Sequence, residues 1–103
     1  NNIARYKNIT SGTSTTLIEK GSAHSGGIDK ITISNNNTGV RATGIDVTLY
    51  DGTNTFYFIK DVTIPSGATL VLDDNLSFNT SIYSLNIAHD SGSGNPNLTV
   101  IIK

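Results

Sequence analysis

The chain of 103 residues contains no cysteine, methionine, tryptophan or glutamine, a single glutamate, two histidines and two prolines. Each absence removes something. Without cysteine there is no disulfide framework, no thiolate metal site and no thiol nucleophile. Two histidines and one glutamate leave few groups for acid–base catalysis. The seven lysines and arginines stand singly against eight acidic residues, for a net charge of −1. The basic stripe that marks nucleic-acid binding is therefore missing. No apolar run is long enough to cross a membrane as a helix, and no signal peptide is read. The chain begins at Asn1 without a methionine, so a trimmed or processed product is expected.

What is present points to sheet. Thr, Asn, Ser and Gly supply 47 residues, and the β-branched Thr, Ile and Val supply 32. β-Branched side chains lose rotamer freedom in a helix and pack well on a pleated surface. The hydrophobic fraction is 36%, which suits a thin core between two sheets roughly 10 Å apart.

Period-2 alternation recurs in about eight segments: 3–10, 14–20, 28–34, 43–50, 55–62, 68–73, 81–88 and 98–102. The clearest is 43–50, with Ile45, Val47 and Leu49 facing in and Asp46, Thr48 and Tyr50 facing out. Asp51-Gly52 reads as a hairpin turn, and Pro65-Ser66-Gly67 as a second tight turn. Leu76 and Phe78 are expected to plug the core where the chain crosses over. The spacing predicts an all-β, single-domain, two-sheet antiparallel sandwich, of jelly-roll or immunoglobulin-like strand order.

No constellation carries chemistry. His24 and His89 read as exposed loop residues, because a Ser-His-Asp triad needs an elbow or oxyanion donors that this sequence does not announce. Asp73, Asp74 and Asn75 read as a strand-end turn rather than a Ca²⁺ site, since the EF-hand spacing is absent. Five N-x-S/T sequons, at Asn8, Asn36, Asn75, Asn79 and Asn97, follow from composition. The glycine-rich segments 21–27 and 91–97 precede no helix and are not phosphate loops. No catalytic residue, metal or cofactor is expected.

Surfaces are the better candidates. In segment 55–62, Phe56 and Phe58 are expected to face one way and Tyr57 and Ile59 the other, so the strand should be central in a larger assembly or covered by something. Tyr50 should lie on the outer face of the partner strand, and if Tyr57 shares that face the two make an interface patch or a sugar-stacking platform, the other reading being a core filler with rim tyrosines. The opening segment with Ile3 and Tyr6, the aromatic strand, and a C-terminal edge with Val100 and Ile102 are the expected contact surfaces, because unpaired edges accept strands from a neighbour.

From Tyr6 onward the sequence resembles small virion structural proteins of tailed bacteriophages. The resemblance lies in YKNITSGTSTTLIEKGSAHSGGIDKITISN, in TLYDGTNTFYFIKDVTIPSGATLVLDD, and in IYSLNIA before a final apolar strand. It implies a β-sandwich on the virion surface, made in the host cytoplasm. The implied role is a head decoration (cement) protein, or else a tail or adaptor component, without enzyme activity. Its implied partners are the major capsid or tail proteins and further copies of itself, in an oligomer or symmetric array. Nucleic acid and membrane are not among them, and a glycan-binding host-adhesion module is the alternative.

Overall fold

A computed structural model describes residues 5–21, 28–73, 76, 78–90 and 96–103. Eight strands form: β1 (Arg5–Ile9), β2 (Ser14–Ile18), β3 (Ile31–Asn35), β4 (Ala42–Tyr50), β5 (Thr55–Ile64), β6 (Thr69–Leu72), β7 (Ser84–Ala88) and β8 (Leu98–Ile102). There is no helix among the described residues. The first sheet runs β1-β8-β3-β6 and the second β2-β7-β4-β5, with every pairing antiparallel. Strand 1 thus pairs with 8, 2 with 7, 3 with 6 and 4 with 5. That is one long antiparallel ribbon folded over on itself, the jelly-roll order. Alternation along the chain leaves the jelly-roll and immunoglobulin-like orders open, and the pairing decides between them.

Alternate positions of the central strands make the core: Ile31 and Ile33, Ile45 and Val47, Leu85 and Ile87, and Leu98, Val100 and Ile102. Leu76 is buried and its amide donates to the Ile28 carbonyl at 3.0 Å. Phe78 packs against the same cluster, so the expected plug forms. Strands β3 and β7 each start three residues later than the alternation suggests. The amides of Asp29 and Lys30 are both taken by the Lys103 carbonyl, so β3 begins at Ile31. Asn79 gathers the amides of Ser81, Ile82 and Tyr83 into a turn, so β7 begins at Ser84.

One expectation about edges is corrected. The C-terminal segment is not an edge. β8 pairs with β1 on one side and β3 on the other, and Val100 and Ile102 lie in the core. The aromatic strand β5 is the last strand of the second sheet, paired among the described residues with β4 alone. The register shifts between Val47 and Thr48, so Tyr57 lies opposite Thr48 while Ile59 lies opposite Val47. Phe58 is the extra residue of this bulge. Ile59 therefore turns inward, and both Phe58 and Ile59 pack on the core. A strand that reads as apolar on both faces is reconciled with an edge position by one inserted residue.

A second irregularity lies near the start of β4, between Ala42 and Ile45. Gly44 has φ +64°, and a Cβ there would meet the Asp90 Cβ at 3.2 Å and the Asp90 amide nitrogen at 3.4 Å. The Asp90 amide donates to the Thr43 carbonyl at 3.0 Å, which fixes that approach. Gly44→Val is expected to cost roughly 2–4 kcal/mol, from left-handed backbone strain and the tight contact together. Chemical denaturation would measure it, and a loss under about 1 kcal/mol would show that β4 can relax.

Candidate functional site

The outer face of the first sheet is built by register. Tyr6 stands opposite Ile101, Ile101 opposite Thr32, and Thr32 opposite Val71. Directly opposed residues share a face, and the flanking positions on β3 and β8 point into the core. The four residues therefore form one row across all four strands, on the solvent side. Tyr6 is 71% exposed and Val71 47%. With strands about 4.8 Å apart, the row is roughly 15 Å long. Its neighbour row is polar: Asn8, Thr99, Ser34 and Thr69. There the Thr99 hydroxyl donates to Asn8 Oδ1 at 2.9 Å, Asn36 Nδ2 donates to Thr99 Oγ1 at 2.7 Å, and the Ser34 and Thr69 hydroxyls are 2.9 Å apart. These bonds stiffen the sheet and leave the apolar row as its uncommitted part.

The aromatics of the second sheet are more engaged. Tyr50 and Tyr57 do share the outer face, since Tyr57 lies opposite Thr48 and Tyr50 is two residues on. The Tyr50 hydroxyl, however, donates to the Gly52 carbonyl at 2.9 Å. Lys60 Nζ sits 4.9 Å from the centre of the Tyr57 ring, a cation–π contact that shields one side of it. Phe56 lies opposite Leu49, on the inward side, and meets Tyr83 edge-on at 6.0 Å. In the hairpin between them, Asp51 accepts from the amides of Asn54 at 2.6 Å and Thr53 at 2.8 Å. These bonds, Asn54 first, hold its carboxyl below the usual range.

Of the expected contact residues, Tyr6, Tyr50, Phe56 and Tyr57 are exposed, and Phe58 is half-buried. Val100 and Ile102 have no outward side chain, and Ile3 lies outside the described residues. Ile101 and Val71 belong to the surface and stand at the outward parity of their strands. The run Val100-Ile101-Ile102, apolar at both parities, is the sequence signal for Ile101.

His24, Asp74 and Asn75 lie outside the described residues. His89 is not the exposed loop residue expected. It is 5% exposed, because its own amide ties the end of β7 to the Thr13 carbonyl at 2.8 Å, and among the described residues neither ring nitrogen has a hydrogen-bond partner. Burial pushes its pKa down, and the Asp90 backbone opposes this more weakly. The unfolded chain then takes up the proton first as pH falls. The contribution to stability is fully present above about pH 6.5 and is lost below it, down to the depressed folded value. Urea titrations from pH 7.5 to 5 are expected to show that loss, and His89→Leu to remove its share. At neutral pH His89→Leu is expected to stabilise by about 1 kcal/mol, because an unsatisfied buried polar group disappears.

Among the described residues no group of three or more His, Asp or Glu side chains is placed to hold a metal ion. Comparison with protein-family models, with curated proteins and with solved structures gave no match for this chain.

Proposed function

We propose that this chain is a non-enzymatic structural protein of a tailed-phage virion, a capsid decoration (cement) protein that docks through the outer face of its first sheet. The observation that carries the docking is the row Tyr6–Ile101–Thr32–Val71, which crosses the whole sheet in register. An apolar stripe with a hydrogen-bonded polar flank is the composition of a contact face, with an apolar centre and a polar rim. The virion assignment rests on the resemblance of the sequence from Tyr6 to the C-terminus. Its partners are the major capsid or tail proteins of the same particle and further copies of the chain. The test is immunogold electron microscopy on lysates of phage-producing cells. Label in a regular array on heads supports the decoration role, label on tails moves the protein to the tail, and label confined to the free soluble fraction refutes the virion assignment.

A second reading, glycan binding in host adhesion, draws on Tyr50 and Tyr57 above the polar outer face of Thr48, Ser84 and Asn86. A glycan array probed with the purified protein, with and without Ca²⁺, is the direct check. Binding lost in Tyr57→Ala would favour this reading, and an empty array would remove it.

A further inference from the structure

Strand β1 carries two cations on its inward face. Arg5 lies opposite Ile102, and Lys7 opposite Val100. Both of those partners are buried, so the cations share the core-facing side of the first sheet. There they line a cleft of about 290 Å³ floored by Val100 and Ile102, with Thr16 and Leu17 of β2 on the other wall. The cleft opens where β1 and β2 are each the last strand of their sheet. Among the described residues its lining holds no acidic side chain, and neither cation is paired with a carboxylate.

Inward charges on an edge strand blunt indiscriminate pairing. Here they also select. A second β1 laid against the first would bring Arg5 and Lys7 against the same cations, and like charges facing each other destabilise a strand pair. A strand carrying carboxylates two residues apart would meet both cations on the inward face, since positions i and i+2 of a strand share a face about 7 Å apart. The residue between the carboxylates would then lie outward, beside Tyr6, and extend the apolar row. No two acidic residues of this chain stand at that spacing, so a second copy does not supply the pattern.

We propose that the free edge of β1 is a docking site for an extended acidic segment of another protein, of pattern acidic–apolar–acidic, which adds to the first sheet as a fifth strand. Backbone bonds along the edge supply the pairing, and Arg5 and Lys7 supply the choice of partner. The proposal deepens the structural reading above and rests on it only for where the partner comes from. The binding is read with free peptides, so its failure leaves the virion assignment to its own test.

The experiment uses the full chain with labelled methyl groups. It is titrated with a peptide of about nine residues centred on Glu-Val-Glu, and with the matching Lys-Val-Lys peptide. The acidic peptide is expected to shift the Leu17, Val100 and Ile102 methyls and to bind about tenfold tighter or more, and less tightly as salt is raised. Arg5→Glu with Lys7→Glu is expected to reverse the preference, with the Ile33 and Ile45 methyls reporting that the core is intact. Should that variant not fold, Arg5→Gln with Lys7→Gln is expected to abolish the discrimination. Equal binding of the two peptides, shifts that avoid the cleft, or a preference unmoved by these substitutions would overturn the proposal.

Discussion

Asn35→Leu is expected to destabilise the protein by roughly 3–5 kcal/mol, the largest single-residue loss foreseen outside the apolar core. Asn35 closes β3 and is 1% exposed. Its Nδ2 donates to the Val40 carbonyl at 2.9 Å and to the Ile64 carbonyl at 3.0 Å, while its Oδ1 accepts the Asn37 amide at 3.1 Å. Its backbone amide donates to the Ala68 carbonyl, and its carbonyl accepts the Gly67 amide, each at 2.9 Å. One side chain thus ties the end of β5 to the 36–40 loop, and its backbone binds the Pro65-Ser66-Gly67 turn. Leucine preserves the backbone bonds and abandons three polar groups, at about 1–3 kcal/mol for each left buried and unpaired. A domain of this size holds about 5–15 kcal/mol in all. A fall in melting temperature of roughly 15–25 °C is therefore expected. Asn35→Asp sharpens the test. A carboxylate there would face two carbonyl oxygens, so its pKa would rise above the unfolded value. The variant should then be least stable at neutral pH and recover as pH falls through that raised value. A loss below about 1 kcal/mol in Asn35→Leu would show that water replaces the amide.

On the proposed docking, Ile101→Asp and Tyr6→Ser are expected to remove the protein from the virion while leaving the sandwich folded. Both side chains point away from the core, and β8 keeps Leu98, Val100 and Ile102 inward in either variant. The folding cost should stay near 1 kcal/mol for Ile101→Asp, which places a poor strand former in a central strand, and near zero for Tyr6→Ser on the edge. Docking should suffer far more, because a charge would be buried at the centre of an apolar contact. Particle-bound protein after sedimentation is expected to fall about thirtyfold or more for Ile101→Asp. The matching change Tyr57→Ser on the second sheet should leave occupancy unchanged. Equal losses from the two faces would remove the case for the first sheet.

β3, β4, β6, β7 and β8 could be read from the sequence because each keeps apolar residues at alternate positions between turn residues, and burial of one face enforces that pattern. Gly67 (φ +75°) is where the Pro-Ser-Gly turn places it. The pairing could not be read, because alternation says which face is buried and not which strand lies alongside. That gap is why Val100 and Ile102 read as an edge when β8 is central. The Phe58 bulge was equally hidden, since an extra residue shows only against a partner strand. Asn35 looks like loop in NNNTG, and His89 looks like loop in AHDSG. In both, tertiary bonds of neighbouring backbone draw a polar side chain inward. The proposed contact face was half legible: Tyr6 stood out, whereas its row with Ile101, Thr32 and Val71 exists only once three strand registers are known.

Hydroxyl-radical footprinting of the protein, free and mixed with the virions proposed to carry it, tests the proposed docking face most directly, because tyrosines on both sheets report in one experiment. Docking through the first sheet predicts strong protection of Tyr6, with Ile101 and Val71 following it, and unchanged oxidation of Tyr50 and Tyr57. Protection of Tyr50 and Tyr57 with Tyr6 still fully reactive would contradict it.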